Sequence, residues 1–351
     1  MAAASSTGAG LFRGHQRRVI ATLEIVLFAV CAAAPMVLQD YMTVLVTRIL
    51  ILALLALSFD LAWGYSGIMS FGQALFFGAA GYGVALLARD LQMTSAFIVL
   101  PAALVIGLGL SLAIGAFLLL GRHPPTTIFV ALGTLAGSYV ADRLARDWYY
   151  LGGQNGIPSI PPMTAGGYEF AEGPAYYYLA LTVLVIVYLV CRFVVRSQFG
   201  LALAGVREHE ARIAFLGYEA QHMKLAMFSL AGAVAGLAGG LYAFHEGFVW
   251  PNMLGVVVST QIVLYALFGG VGTLIGPVIG VMAIEIASFS LSDSVPKIWP
   301  IVLGLLLLFA ILFAPAGLIG LVASERERLG DFGRPPLQPR QADAMPDDAA
   351  A

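Results

Sequence analysis

The stretch Ser95–Leu120, "SAFIVLPAALVIGLGLSLAIGAFLLL", runs for 26 residues without a charge. A helix of that length is long enough to cross a hydrocarbon layer of ~30 Å. Working outward from it, apolar runs bounded by charge, proline or polar clusters recur at about 19–38, 41–62, 65–88, 125–141, 176–195, 225–245, 255–270, 273–291 and 298–321. The chain has 351 residues, 60% hydrophobic and only 11% charged. This pattern excludes a soluble globular domain. It predicts an all-α polytopic membrane protein with about ten transmembrane helices (nine to eleven), the short fifth and eighth spans being tilted, broken or re-entrant.

Charge placement sets an expected orientation. With the N-terminus inside, 13 of the 18 Lys and Arg residues fall on inner segments. Arg48, Arg89, Arg143, Arg146 and Lys297 are left outside. Basic residues favour the cytoplasmic side, so both termini are expected there. The chain divides into a cytoplasmic segment 1–18, a membrane domain 19–323, and a Pro-rich, charged tail 324–351 expected to be disordered. The membrane domain carries an outer loop at about 142–175 and a cytoplasmic loop at about 196–224. The basic N-terminus and first apolar run have the layout of a secretion signal. No convincing small-x-small cleavage site follows Ala34-Pro35, so the first run reads as a retained helix.

Catalytic and nucleotide-binding patterns are missing. There is no G-x-x-x-x-G-K-[ST], so the chain itself is not expected to bind ATP, and no H-E-x-x-H, C-x-x-C or G-x-S-x-G. Cys31 and Cys191 lie in apolar segments and read as small hydrophobic fillers, with no metal site or cofactor expected. His245-Glu246 reads as an outward-facing, snorkelling pair. Gly232 and Gly236, and Gly272, Gly276 and Gly280, recur at four-residue spacing, which lets membrane helices pack closely. Ser66, Ser70 and Gln73 fall at i, i+4 and i+7, as if on one helix face. Thr127, Thr134 and Ser138 do the same in the fifth span. Such stripes face other helices or a wet path, since lipid leaves their polar groups unpaired. Both roles stay open. The intramembrane acids singled out are Asp60 and Glu285, the latter a candidate for function or subunit contact.

Charge is concentrated at 206–224, "VREHEARIAFLGYEAQHMK". Val206–Leu216 is expected to form a short amphipathic helix, with Glu208 and Arg212 at i,i+4 and Gly217 as its stop. Alone, this is as well read as a solvated loop helix or one lying in the headgroups.

Taken together, several segments resemble the permease subunits of branched-chain amino acid ABC importers of the LivM type. They are "DLAWGYSGIMSFGQALFFGAAGYGVALL" from Asp60, "GGQNGI" at 152–157, "VREHEARIAFLGY" from Val206, "FGGVGTLIGPVIG" at 268–280 and "FAPAGLIGL" at 313–321. They follow the family's order and spacing from about residue 40 to 321. The resemblance implies a membrane translocation subunit rather than an enzyme, with ATP bound and hydrolysed on partner subunits. It implies a second homologous permease, two cytoplasmic ATPase subunits and an outer solute-binding protein. Arg207, Glu208, Glu210, Arg212 and Gly217 would form a coupling helix seated on an ATPase. The segments around 152–162 and 245–252 would face the binding protein. Ser66, Ser70, Gln73, Thr134, Gln261 and Glu285 are path candidates. The resemblance departs at Gln73, where many members have His. Urea permeases also resemble the early segment, so urea, short amides or small carboxylates stay open beside branched-chain amino acids. The rival of another class is an ion-coupled secondary transporter, which would call for buried acid–base pairs at mid-membrane.

Overall fold

The structure, a computed structural model, describes residues 22–121, 127–171, 173–292, 304–305 and 317–320. Among them lie α1 (Thr22–Val37), α2 (Asp40–Asp60), α3 (Gln73–Asp90), α4 (Ala96–Leu119) and α5 (Thr127–Asp147). The chain continues through α6 (Pro174–Arg196), α7 (Gln198–Phe215), α8 (Ala220–Glu246), α9 (Val256–Gly269) and α10 (Ile275–Ser292). Five helical segments are long and apolar enough to cross a membrane, and α1, α9 and α10 are shorter apolar helices. This is an all-α polytopic architecture. The expected segment 1–18, most of the span 298–321 and the tail 324–351 lie outside the described residues.

Helix α8 is the centre of the bundle. It is buried almost throughout from Leu225 to His245 and packs against α2, α3 and α4. Helices α4, α5 and α6 are buried on one face only and turn Phe97, Phe117, Ile128, Phe129, Ile186 and Phe193 outward. Such apolar exteriors suit lipid tails, which provide no driving force to bury them.

Backbone contact replaces side-chain packing at several crossings, among them α3 on α8, where a Cβ on Gly239 would lie 1.9 Å from the Phe77 oxygen. Where α4 meets α8, a Cβ on Gly107 would lie 2.4 Å from the Gly232 carbonyl oxygen and 2.8 Å from Gly236 Cα. One on Gly236 would lie 2.5 Å from the Ala103 oxygen. Ser111 Oγ donates to the Ser229 carbonyl at 3.2 Å across the same crossing. Where α9 meets α10, a Cβ on Gly280 would lie 2.0 Å from the Tyr265 oxygen. Gly272 does not continue this stripe. It lies in the turn before α10 with φ +82°, so its role is set by backbone conformation.

Two expected spans are interrupted. Helix α2 runs into a π-turn, Leu61–Tyr65, and residues 66–72 are not helical. Gly67, at φ +72°, turns the chain out of the helix. The expected span 65–88 is therefore broken, and Ser66, Ser70 and Gln73 share no helix face; spacing alone could not reveal the break. At the opposite end of the bundle, Gly247 (φ +69°) ends α8. A 3₁₀ turn, Pro251–Leu254, then presses Met253 and Leu254 against α3 at Gly81 and Gly78. The following α9 has 14 residues, about 21 Å of helix, too short to cross the layer alone.

The outer loop begins later than expected. Helix α5 continues to Asp147, and its last turns are tied by an Asp142–Arg146 pair at 2.9 Å. The loop then contains a β-hairpin, β1 (Met163–Ala165) antiparallel to β2 (Tyr168–Phe170), around Gly166 and Gly167 at positive φ. Glycine at both turn positions permits the left-handed conformations of such a turn.

Adding one methyl group at the α4–α8 crossing tests this packing. Gly107→Ala is expected to lower stability in detergent by about 1–3 kcal/mol through overpacking. Gly109→Ala, on the same helix with nothing within 4 Å of the added carbon, is expected to leave it unchanged. Thermal unfolding followed by size-exclusion chromatography measures both.

Candidate functional site

The break between α2 and α3 builds a polar seam inside the bundle. Residues 66–72 lead back toward its middle, where an unpaired peptide group would cost several kcal/mol in lipid. The Phe71 peptide is held from both sides. Its N–H donates to Thr134 Oγ1 at 3.1 Å. Its carbonyl accepts Ser259 Oγ at 2.6 Å and Ser138 Oγ at 3.2 Å. One loop residue thus joins α5 and α9.

The other path candidates divide around this seam. Ser66 Oγ donates back to the Ala62 carbonyl at 2.5 Å, and Ser70 Oγ accepts the Gly72 N–H at 3.1 Å. Gln73 is the first residue of α3 and is 1% exposed. Its Oε1 lies 3.3 Å from Ser58 Oγ, while its Nε2 is buried without a partner. Ser58 already donates to Leu55 at 2.6 Å. Gln261 is on the exposed face of α9, away from these groups. Glu285 on α10 accepts the Tyr265 hydroxyl from α9, a cross-helix partner its own helix does not supply.

A second cluster sits where α7 meets the bundle. Asp60, the last residue of α2, is fully buried. Its carboxylate accepts the Gly272 N–H at 2.5 Å and the Leu274 N–H at 3.0 Å. These amides immediately precede α10, so α2 supplies that helix with an N-terminal anion. Arg207 on α7 donates to the Gly64 carbonyl in the π-turn.

Helix α7 itself differs from the short helix expected over 206–216. It begins at Gln198 and is kinked at His209 (φ −147°, ψ 83°). The kink falls between Glu208 and Arg212, and no ion pair joins them among the described residues. Instead Glu210 pairs with Lys224 of α8 at 2.6 Å. Gly217 ends the helix at φ +85°. Its N–H bonds to the Ala214 carbonyl at 3.0 Å and that of Tyr218 to Ile213 at 3.4 Å, the two bonds of a Schellman stop. Around this stop Phe215, Leu216 and Tyr218 are 90%, 71% and 52% exposed. Phe215 and Tyr218 were not among the sequence candidates, although an aromatic beside a glycine stop in a charged loop is a readable signal.

Two further sequence expectations change. Glu24 in α1 is a third intramembrane acid, 7% exposed, accepting the Tyr188 hydroxyl at 2.8 Å and pairing with Arg192. His245 does not snorkel outward. It is 4% exposed and packs against Tyr176, with ring centroids 5.6 Å apart.

At the opposite end, the two outer segments meet. Ile157 and Val249 exchange backbone bonds at 2.9 and 3.1 Å, and Ile160 N–H donates to Gly247 at 2.8 Å. Gly156 permits this approach, since a Cβ there would lie 1.9 Å from the Val249 oxygen. Nearby, Tyr150 donates to Asp90 at 2.5 Å, and this bond to a carboxylate raises the phenol's pKa.

A multi-span bundle with broken helices and a kinked, exposed helix at one end has the form of a transport subunit. A family model described as "Branched-chain amino acid transport system / permease component" matches residues 41–311. The chain belongs to this family. It is 26% identical over 322 residues to the high-affinity branched-chain amino acid transport system permease protein LivM of Escherichia coli K12, covering 84% of this chain and 74% of that protein. It is 24% identical over 312 residues to the probable branched-chain amino acid transport permease protein LivM of Methanocaldococcus jannaschii, covering 76% and 89%. No solved structure matches the chain. Membership makes it a multi-pass membrane transport subunit rather than an enzyme, of the permease type found in ABC importers.

The Phe71 clamp generates a direct test. Thr134→Val strands the Phe71 N–H, and a buried unsatisfied donor costs about 1–3 kcal/mol. Lowered thermal stability and uptake are expected, with Thr134→Ser close to wild type. Equal loss in both variants would assign Thr134 to packing through its methyl group.

Proposed function

We propose that this chain is a permease subunit of a binding-protein-dependent ABC importer that moves branched-chain or related amino acids inward by ATP-driven alternating access. The observation that carries the reading is α7. A chain without a P-loop receives work through a protein contact, and α7 offers a Gly-stopped end with exposed Phe215, Leu216 and Tyr218 in a segment that also carries exposed Glu208 and Arg212. Exposed aromatics within a polar rim are the composition of a protein-docking hot spot. The partners are a second homologous permease, two ATPase subunits and a solute-binding protein. The excess of Lys and Arg on the α7 side supports a cytoplasmic position for that end and for both termini. The joined segments 152–162 and 247–252 then face the binding protein.

Branched-chain amino acids lead as substrate because the relatives' names carry that substrate. The buried Glu24–Arg192 pair does not favour gradient-driven exchange. It joins the first turn of α1 to the last turns of α6, away from the seam at Phe71.

Reconstituted with its partners in proteoliposomes, the importer is expected to take up radiolabelled leucine only with ATP inside the ATPase compartment, and excess urea is expected not to compete. Gradient-driven uptake by the purified chain alone would refute the reading. Replacing Phe215 and Leu216 together by Ala is expected to weaken ATPase capture by at least about tenfold. Membrane insertion of that variant is expected to be normal. The Glu210→Ala, Arg212→Ala double variant is expected to lose uptake.

A further inference from the structure

The cluster around Asp60 connects three elements that the proposed function leaves separate. Asp60 ends α2, and its two oxygens hold the amides of Gly272 and Leu274 at the start of α10. Gly64, one helical turn later, makes this approach possible. A Cβ there would lie 2.3 Å from Asp60 Oδ1 and 2.7 Å from the Gly272 nitrogen. The Gly64 carbonyl accepts the guanidinium of Arg207, and both lie beside Gly272, 3.5 and 3.8 Å from where a Cβ there would stand. The stem of Arg207 also lies along Gly67, 3.3 Å from where a Cβ would stand. Each contact joins a charge to a helix end of opposite polarity: a cation at the closing carbonyls of α2, an anion at the opening amides of α10.

The kink in α7 gives this arrangement a direction. Arg207 lies on the bundle side of His209, whereas Phe215, Leu216 and Tyr218 lie beyond it. The far side is tied separately to α8 through Glu210 and Lys224. Movement of the exposed end therefore reaches the bundle through both ties, and the Arg207 tie bonds directly to the backbone of the broken span. From Gly64 and Gly67 the chain runs directly into residues 66–72 and the Phe71 peptide held by α5 and α9.

We propose that Arg207 and Asp60 are positioning residues forming a relay, through the Gly64 carbonyl and the Gly272 turn, that carries displacement of α7 to α10 and to the Phe71 seam. The relay rests on the reading of α7 as the docking element. Arg suits it because the planar fork fixes direction as well as distance, which a lysine ammonium does not. Asp60 suits it because one rigid carboxylate holds two successive amides.

The test uses the assembled importer in proteoliposomes, with uptake and ATP hydrolysis measured on the same preparation and normalised to assembled complex. Per assembled complex, Arg207→Ala and Asp60→Asn are expected to lower solute moved per ATP hydrolysed by about tenfold, with Arg207→Lys recovering part of the loss. The double variant is expected to be no worse than the poorer single one, as for serial links in one network. A wild-type transport-to-hydrolysis ratio in Arg207→Ala overturns the relay, and so do multiplicative losses in the double variant. Arg207 is exposed on α7, so the Arg207 series decides alone if Asp60→Asn assembles poorly. Failure of the underlying reading looks different: wild-type uptake would then proceed without ATP, or no ATPase would assemble with the chain.

Discussion

The constraint on which the structure depends is the prohibition against an unpaired peptide group inside a membrane. The chain breaks a span at residues 66–72 and must satisfy the backbone it exposes. It does so at Phe71, with three hydroxyls from two other helices on the N–H and carbonyl of one residue. These hydroxyls stand where a polar stripe facing a path was one possibility, and the bonds they make are structural. A broken span held in this way remains ordered without helical hydrogen bonds. It also stays responsive to its neighbours, because its position is set by side chains of α5 and α9 rather than by its own helix.

Close backbone approach is the complementary device. Helices α4 and α8 meet through Gly107, Gly232 and Gly236, and α9 meets α10 through Gly269, Gly276 and Gly280. Packing of this kind relies on van der Waals contact over flat surfaces, since lipid provides no hydrophobic drive between helices. Three of the acids within the bundle follow another rule. Asp60 is satisfied by amides, Glu24 by Tyr188 and Arg192, and Glu285 by Tyr265. Each carboxylate ties two helices together, which explains how so few charges can be kept in so apolar a chain.

Most of the fold was legible because hydrocarbon thickness imposes a length that any uncharged run of residues reveals. The segment from Ser95 to Leu120 needed no further context. What stayed hidden was governed by contacts between distant segments. Ser66, Ser70 and Gln73 match helical spacing, and nothing local says that Gly64 and Gly67 end the helix first. Gly272 matches a four-residue stripe, yet its φ of +82° depends on a carboxylate 212 residues away in sequence. Glu24 escaped notice because it lies near the start of an otherwise apolar run, where an acid resembles a boundary. In the loop at 206–224, charge marks Glu208 and Arg212. The exposed aromatics at its Gly217 stop show only once the direction of α7 beyond His209 is known.

The two interruptions have opposite polarity along the bundle. After α2 the chain reverses at the end that carries α7, and α3 starts from there. After α8 it reverses at the hairpin end, and the short α9 starts from that side. The two non-helical links converge on the same seam, since Ser259 in the first turn of α9 bonds to Phe71 just before α3. In the alternating-access cycle proposed above, this seam would be the point of bending, because the backbone there is held by side chains of α5 and α9 rather than by helical hydrogen bonds.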